Sequence, residues 1–255
     1  MSAALQLDDL AVRFGGVQAV AGVSFAVDEG DFVGLIGPNG AGKTTLIKIV
    51  AGLQRPDRGR VTLGGVDVTG DATAARVRRG LSLTHQIVRP FRAMTVLDNV
   101  VLGAGIGRTA NQFRAMLHVE RRRESERSAE ILGRVGLAGT ERKLAGSLPL
   151  GQMKRLELAR ALAVEPDVIL LDEPLAGLNH TEASRQVETI SDVHKGGITV
   201  ILIEHNLEEV MRICRRLIVL NNGLVIGDGE PRQVMADPAV HEAYVGSGMA
   251  THAQA

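Results

Sequence analysis

Residues 37–45 read Gly37-Pro38-Asn39-Gly40-Ala41-Gly42-Lys43-Thr44-Thr45, a glycine, four residues and then Gly-Lys-Thr, directly after an apolar run. That spacing suits phosphate chemistry. Glycines let the backbone curl so that successive N–H groups face phosphate oxygens, the Lys43 ammonium adds a point charge for the terminal phosphates, and the Thr44 hydroxyl can ligate magnesium. A helix starting near Lys43 brings its positive dipole end to the same spot. Taken alone, the segment also describes a plain Gly-rich turn, so the rest of the chain must decide. The second chemical feature is Asp172-Glu173-Pro174, two adjacent carboxylates closing the apolar run Val168-Ile169-Leu170-Leu171. They fall at the carboxyl edge of an expected parallel strand, where open α/β sheets bind ligands. Asp172 suits organising a magnesium ion, and Glu173 suits the base or orienting group for a water attacking a γ-phosphate. A solvated acidic turn before a proline is the alternative.

The elements that must position these groups are visible in the hydrophobic pattern. Leu5, Leu7, Leu10, Val12 and Phe14 nearly alternate with polar residues, and Val17 to Val27 repeats that style, which predicts two antiparallel strands. Phe32 to Ile36 is a continuous apolar strand leading into the glycine-rich segment, with a helix predicted over 45–53. Arg60 to Leu63, a Gly64-Gly65 turn and Val66 to Val68 predict a short hairpin. From Pro90 to about Leu148 the pattern turns helical, with Val96, Val100 and Val101 in one segment and a longer charged one from Asn111 to Leu132. Strands are then predicted at Leu81 to Thr84, Val168 to Leu171, Ile198 to Ile203 and Leu217 to Leu220. Helices should start near Gly151, Thr181 and Asn206. Alternating strand and helix argue for an α/β fold with a parallel sheet covered on both faces.

Composition narrows the function. The 255 residues are 45% hydrophobic, ample for a buried core, and the longest stretch without a charged side chain, Phe14 to Val27, is too short to cross a bilayer. The start lacks a basic segment followed by an apolar one, so no secretory signal is expected and a cytosolic location is the default. Cys214 is the one cysteine and reads as a small core residue. Formal charge is zero, there is no Trp, one Tyr and five scattered Phe. Neither an electrostatic footprint nor a series of stacking rings for nucleic acid is present. The mixed-sign cluster from Glu120 to Arg127 reads as a solvated helix face.

With the glycine-rich segment and the Asp172-Glu173 pair in place, the chain resembles the ATP-binding subunit of an ABC transporter along nearly its whole length. The implied fold is a P-loop NTPase of the ABC type: one domain over 1–255 with an antiparallel β subdomain and an inserted helical subdomain at approximately 87–150. Gln86 matches the family's glutamine loop, a hinge that touches the membrane partner and contributes to the metal site; otherwise it is an ordinary strand-end residue. His205 matches the switch histidine of the γ-phosphate, although a lone strand-end histidine is more often structural. Ala176-Gly177-Leu178-Asn179 matches the D-loop, with Asn179 where Asp is usual. The family's Leu-Ser-Gly-Gly-Gln signature is similar to Leu148-Pro149-Leu150-Gly151-Gln152, with proline in place of the serine whose hydroxyl serves the opposite subunit's γ-phosphate.

The resemblance implies ATP and Mg2+ as ligands. Residues Gly37 to Thr45, Gly151 and Gln152 would bind nucleotide, Thr44, Gln86 and Asp172 the metal, and Glu173, His205 and Gln86 would serve catalysis. Phe14 stands where the family often places a ring against adenine, or equally in a core strand. The implied partners are membrane subunits, a second ATP-binding subunit, the same or a related chain, and indirectly a periplasmic or extracellular substrate-binding protein, with no nucleic acid. The implied position is peripheral, on the cytoplasmic side of the cell (inner) membrane. Val88 to Val96, Ala176 to Asn179, and Asp237 to Gly246 are similar to the branched-chain (hydrophobic) amino acid importer subgroup. Two other readings stay open: a soluble ABC ATPase outside transport, and a catalytically degenerate structural subunit of a heterodimeric transporter, motivated by Pro149 and Leu150.

Overall fold

The computed structural model describes residues 2–84, 88–106 and 118–245. Its strands are β1 (Ala3–Phe14), β2 (Val17–Asp28), β3 (Phe32–Ile36), β4 (Arg58–Leu63), β5 (Val66–Asp67), β6 (Leu81–Thr84), β7 (Val168–Asp172), β8 (Thr199–Ile203), β9 (Arg216–Asn221) and β10 (Leu224–Gly229). The helices are α1 (Lys43–Val50), α2 (Thr73–Arg78), α3 (Val96–Ile106), α4 (His118–Arg134), α5 (Leu150–Leu162), α6 (His180–Lys195), α7 (Leu207–Ile213), α8 (Pro231–Met235) and α9 (Pro238–Val245). The chain divides into two compact units, Met1–Arg79 with Thr199–Ala255, and Gly80–Ile198.

The first unit holds an antiparallel sheet in the order β2-β1-β4-β5 and a mainly parallel group in the order β10-β9-β3-β8. β3 is buried at every position, which is why its sequence is an unbroken apolar run. Gly34 within it is required by packing, because a Cβ there would lie 2.6 Å from Leu217 and 2.8 Å from Val210. In β1 the large buried side chains are Leu5 and Leu7, then Leu10 and Val12, so the alternation slips by one residue. A β-bulge absorbs the slip: Asp9 has φ 46°, pairing shifts between Leu7 and Leu10, and the Asp9 N–H donates to Ser24 Oγ at 2.8 Å.

Arg76 is the largest fully buried side chain in the first unit, 1% exposed. From α2 its guanidinium donates to the carbonyls of Ile49 and Val50 at 2.7 Å each, and to Thr69 and Asp71 at 3.1 and 3.2 Å. It therefore caps the carboxyl end of α1, where helix carbonyls lack their own partners. Burial lowers its pKa from the ordinary arginine value, against the pull of Asp71 and Asp67. Neither α2 nor α8 was expected from periodicity, since both are shorter than two turns. β10 was also unexpected, because Gly227 and Gly229 break its pattern. α1 starts two residues before and ends three residues before the predicted helix.

In the second unit β6 runs parallel to β7, pairing Leu81 with Val168 and Thr84 with Leu171. α5 packs against β6, and α3, α4 and α6 pack against α5. Ser128, Ile131, Leu132 and Val135 form the buried stripe at the end of α4, while Arg123, Glu126 and Arg127 are exposed, as a solvated charged face requires. The buried Asn99 shapes the segment before α3: its side chain accepts the Phe91 N–H at 2.8 Å and donates to the Phe91 and Thr95 carbonyls. Among the described residues no helix is long and apolar enough to cross a membrane.

Replacing Arg76 by Met should cost about 3 kcal/mol or more, because four carbonyls lose a charged donor inside the fold. The urea midpoint of the variant checks this; a shift equivalent to less than about 0.5 kcal/mol would mean that the cap is dispensable.

Candidate functional site

The first unit carries the glycine-rich segment between β3 and α1, where the buried strand hands its backbone to a helix N-terminus. Gly37 (φ 150°) lies so close to β9 that a Cβ would sit 2.1 Å from the Leu220 carbonyl oxygen. Gly42 (φ 100°) caps α1, and a Cβ there would sit 2.3 Å from the Ala19 carbonyl oxygen of β2. The Gly223 N–H donates to the Ala41 carbonyl at 3.0 Å, and Gly223 in turn accepts the Ala21 N–H at 2.8 Å. Asn39, Gly40 and Thr44 are exposed, Lys43 and Thr45 half-buried. Lys43 Nζ donates across its own loop to the carbonyls of Gly37 at 2.5 Å and Pro38 at 3.0 Å. The ammonium thus stands over the curl that the glycines make, where a phosphate-binding lysine belongs.

His205, Phe14 and Tyr244 also belong to the first unit. His205 follows β8 with its side chain 56% exposed, and its N–H donates to the fully buried Glu204 carboxylate at 3.3 Å. Phe14 is half exposed, which rules out the core-strand reading of that ring. Tyr244 on α9 takes a hydrogen bond from the Gly37 backbone; burial pushes its phenol well above the ordinary tyrosine pKa, with that hydrogen bond acting in the other direction. α9 reaches this position because Val240, one turn earlier, is fully buried and packs where Gly227 leaves room on β10. Periodicity offered no sign of this contact, although Tyr244 is the only tyrosine in the chain.

The second unit carries the acidic edge. Asp172 ends β7, half-buried, and its N–H donates to Thr84 Oγ1 of β6 at 3.3 Å. Glu173 follows with φ 47°, a left-handed conformation outside the strand, and its carbonyl accepts from the Ala176 N–H at 3.2 Å and from Lys154 Nζ at 3.0 Å. The paired carboxylates therefore leave the strand through a held turn. Lys154 lies in the helix expected to start near Gly151, and nothing in its spacing points to this contact.

Pro149 is the N-cap of α5 at φ −65° and ψ 160°, with no side-chain hydrogen bond to the first turn. Gly151 is buried and Gln152 half-buried in that turn. A small pocket there is lined by Pro149, Gly151, Gln152, Arg155, Glu182 and Arg185. Asn179 has a structural occupation: its side chain accepts the Glu182 N–H at 2.9 Å in a capping box that starts α6. Gln86 lies outside the described residues. The donors proposed for a metal, the Thr44 hydroxyl and the Asp172 carboxylate, are hard oxygens of the kind that suit Mg2+ together with phosphate oxygens.

The family model described as ABC transporter matches residues 20–176. The chain is 36% identical over 248 residues to the high-affinity branched-chain amino acid transport ATP-binding protein BraF of Pseudomonas aeruginosa, covering 95% of this chain and 97% of that protein. It is 37% identical over 246 residues to the lipopolysaccharide export system ATP-binding protein LptB of Acidithiobacillus ferridurans, covering 96% and 98%. A crystal structure of an ABC transporter ATP-binding cassette in its ADP conformation superimposes with a TM-score of 0.86 at 33% identity, over 96% of this chain and 99% of the other.

Gly37→Ala should abolish binding of a fluorescent ATP analogue and cost about 2 kcal/mol or more, since a backbone carbonyl occupies the space for the new methyl. Gly40→Ala, with nothing within 4 Å of its Cβ, is the comparison and should cost only the left-handed penalty of about 1–2 kcal/mol. Equal losses in the two variants would refute the buttressed-loop account. Burial pushes the Cys214 thiol up to about 12, so at pH 8 its thiolate fraction is on the order of 10⁻⁴. Iodoacetamide should label the native chain far more slowly than the urea-unfolded chain, as read by mass spectrometry.

Proposed function

This chain belongs to the ABC transporter family, and on that premise we propose that it binds and hydrolyses ATP to drive an importer of branched-chain amino acids or related small solutes. The carrying observation is the loop from Gly37 to Gly42, fixed by close backbone contacts and overlaid by Lys43. In this reading Lys43 and the loop N–H groups bind the terminal phosphates and α1 adds its dipole. Thr44, Asp172 and Gln86 would hold Mg2+, which would supply neutralisation of charge on the nucleotide phosphates. Glu173 takes the proton of the attacking water, or orients it, and His205 steadies the γ-phosphate. Phe14, exposed and aromatic, stacks on the adenine.

Two ATP-binding subunits, identical or related, close head to tail, each offering its α5 N-terminus, with Gly151 and Gln152, to nucleotide held by the other. Pro149 supplies no hydroxyl there, so backbone N–H groups and the α5 dipole carry that contact. ATP favours the closed pair through its differential affinity for that state, and hydrolysis resets it. Membrane subunits dock on the second unit, where a cleft of about 470 Å³ is lined by Arg89, Pro90, Arg92, Leu150 and Met153 among others. The subunit works at the cytoplasmic side of the inner membrane, with a substrate-binding protein delivering solute on the far side. Export of a lipid-linked glycan is the second reading, favoured by the similarity to LptB.

Lys43→Ala should lose both ATP binding and turnover. Glu173→Gln should keep binding while turnover in the assembled transporter falls roughly 10²- to 10⁴-fold. Wild-type turnover in Glu173→Gln would remove it from the role of base. Uptake of labelled leucine, isoleucine and valine by cells lacking this chain decides the cargo: undiminished uptake counts against the amino acid reading.

A further inference from the structure

Lys154 is 5% exposed, and a lysine that deep must satisfy its ammonium with acceptors from the protein. One acceptor is the Glu173 carbonyl, 3.0 Å from Nζ. That carbonyl belongs to a residue at φ 47°, a conformation disfavoured for any residue with a Cβ and sustained only when its surroundings hold it. The other non-glycine residues with positive φ among those described have local explanations: Asp9 in the β1 bulge, Asn222 in the β9–β10 turn, and Glu165 just beyond α5. At Glu173 the holding contacts include the Ala176 N–H, from the same turn, and Lys154, from a different element.

We infer that Lys154 is a positioning residue for hydrolysis, its ammonium fixing the Glu173 backbone in the left-handed turn from which the carboxylate projects. The inference rests on the reading of Glu173 as the group that activates water. Lys154 stands one turn after Gly151 on α5, so the segment that meets the opposite subunit's nucleotide and the backbone of this subunit's own Glu173 are joined through one side chain. A displacement of α5 on closure is passed directly to the base. Proper placement of a reacting group is worth large factors in rate, and a loosened carboxylate forfeits them without weakening ground-state binding.

The test compares Lys154→Met, Lys154→Arg and Glu173→Gln in the chain assembled with its membrane subunits, reading kcat, affinity for a fluorescent ATP analogue, and melting temperature. Lys154→Met keeps length and loses the donor; its kcat should fall about 10-fold while nucleotide affinity stays within about twofold. Lys154→Arg, which keeps a charged donor, should recover most of the rate. Wild-type kcat in Lys154→Met overturns the inference. So does a joint loss of stability, affinity and rate that Lys154→Arg fails to repair, since that marks a purely structural lysine. Should Lys154→Met not fold, Lys154→Gln takes its place and the same two results decide. Glu173→Gln separates the layers. If it is inactive while Lys154→Met is normal, positioning alone fails; if it turns over normally, the reading of Glu173 fails and the inference with it.

Discussion

The structure depends on how closely three stretches of backbone approach the phosphate loop. Leu220 presses on Gly37 from β9, Ala19 presses on Gly42 from β2, and Gly223 hydrogen bonds Ala41 from the turn between β9 and β10. The first two contacts leave no room for a side chain at the glycines, and all three come from segments distant in sequence from the loop. The loop's curl is consequently a property of the assembled first unit. Arg216 reinforces that assembly, chelating Asp228 at 2.6 and 2.7 Å while donating to the Ala26 carbonyl of β2. Hydrogen bonding to Asp228 raises the Arg216 pKa, and the clamp ties β2 to β9 and β10, the strands joined by the turn that holds Ala41.

The second unit is organised by polar contacts at a strand end. Thr84 receives the Asp172 N–H, Ala176 and Lys154 converge on the Glu173 carbonyl, and Asn179 with Glu182 starts the next helix six residues later. Within eight residues the chain passes from a buried strand through a left-handed residue and a tight turn to a capped helix. Each step is held by a hydrogen bond to a named partner. Such a segment fixes the backbone from which the two carboxylates leave the strand.

Much of this was legible in the sequence, for physical reasons that differ by segment. The phosphate loop and the Asp172-Glu173 pair could be read because their chemistry demands residue types at fixed spacing. β3, β7 and β8 could be read because strands covered on both faces are apolar throughout. β10 was missed because its glycines accommodate Val234 and Val240, a tertiary demand that leaves no period. α2 was missed because its value lies in one buried arginine, a residue type that pattern rules place outside. Phe14 continues the alternation of Leu10 and Val12, but the β1–β2 pairing shifts again between Val12 and Arg13, so alternation could not assign its face. Lys154 and Tyr244 act through backbone groups of Glu173 and Gly37, and contacts to backbone leave no complementary residue type to recognise.

Pro149 shows a thermodynamic side of a substitution that looks at first like a simple loss. A serine at that position would bring a hydroxyl, and also a φ angle free to wander in any state where the α5 N-terminus is not engaged. Proline arrives with φ already at −65°, the value that the start of α5 adopts. A ligand meeting this helix end therefore meets a segment with little backbone entropy left to surrender. The enthalpy of one missing donor is set against an ordering penalty that has been removed in advance.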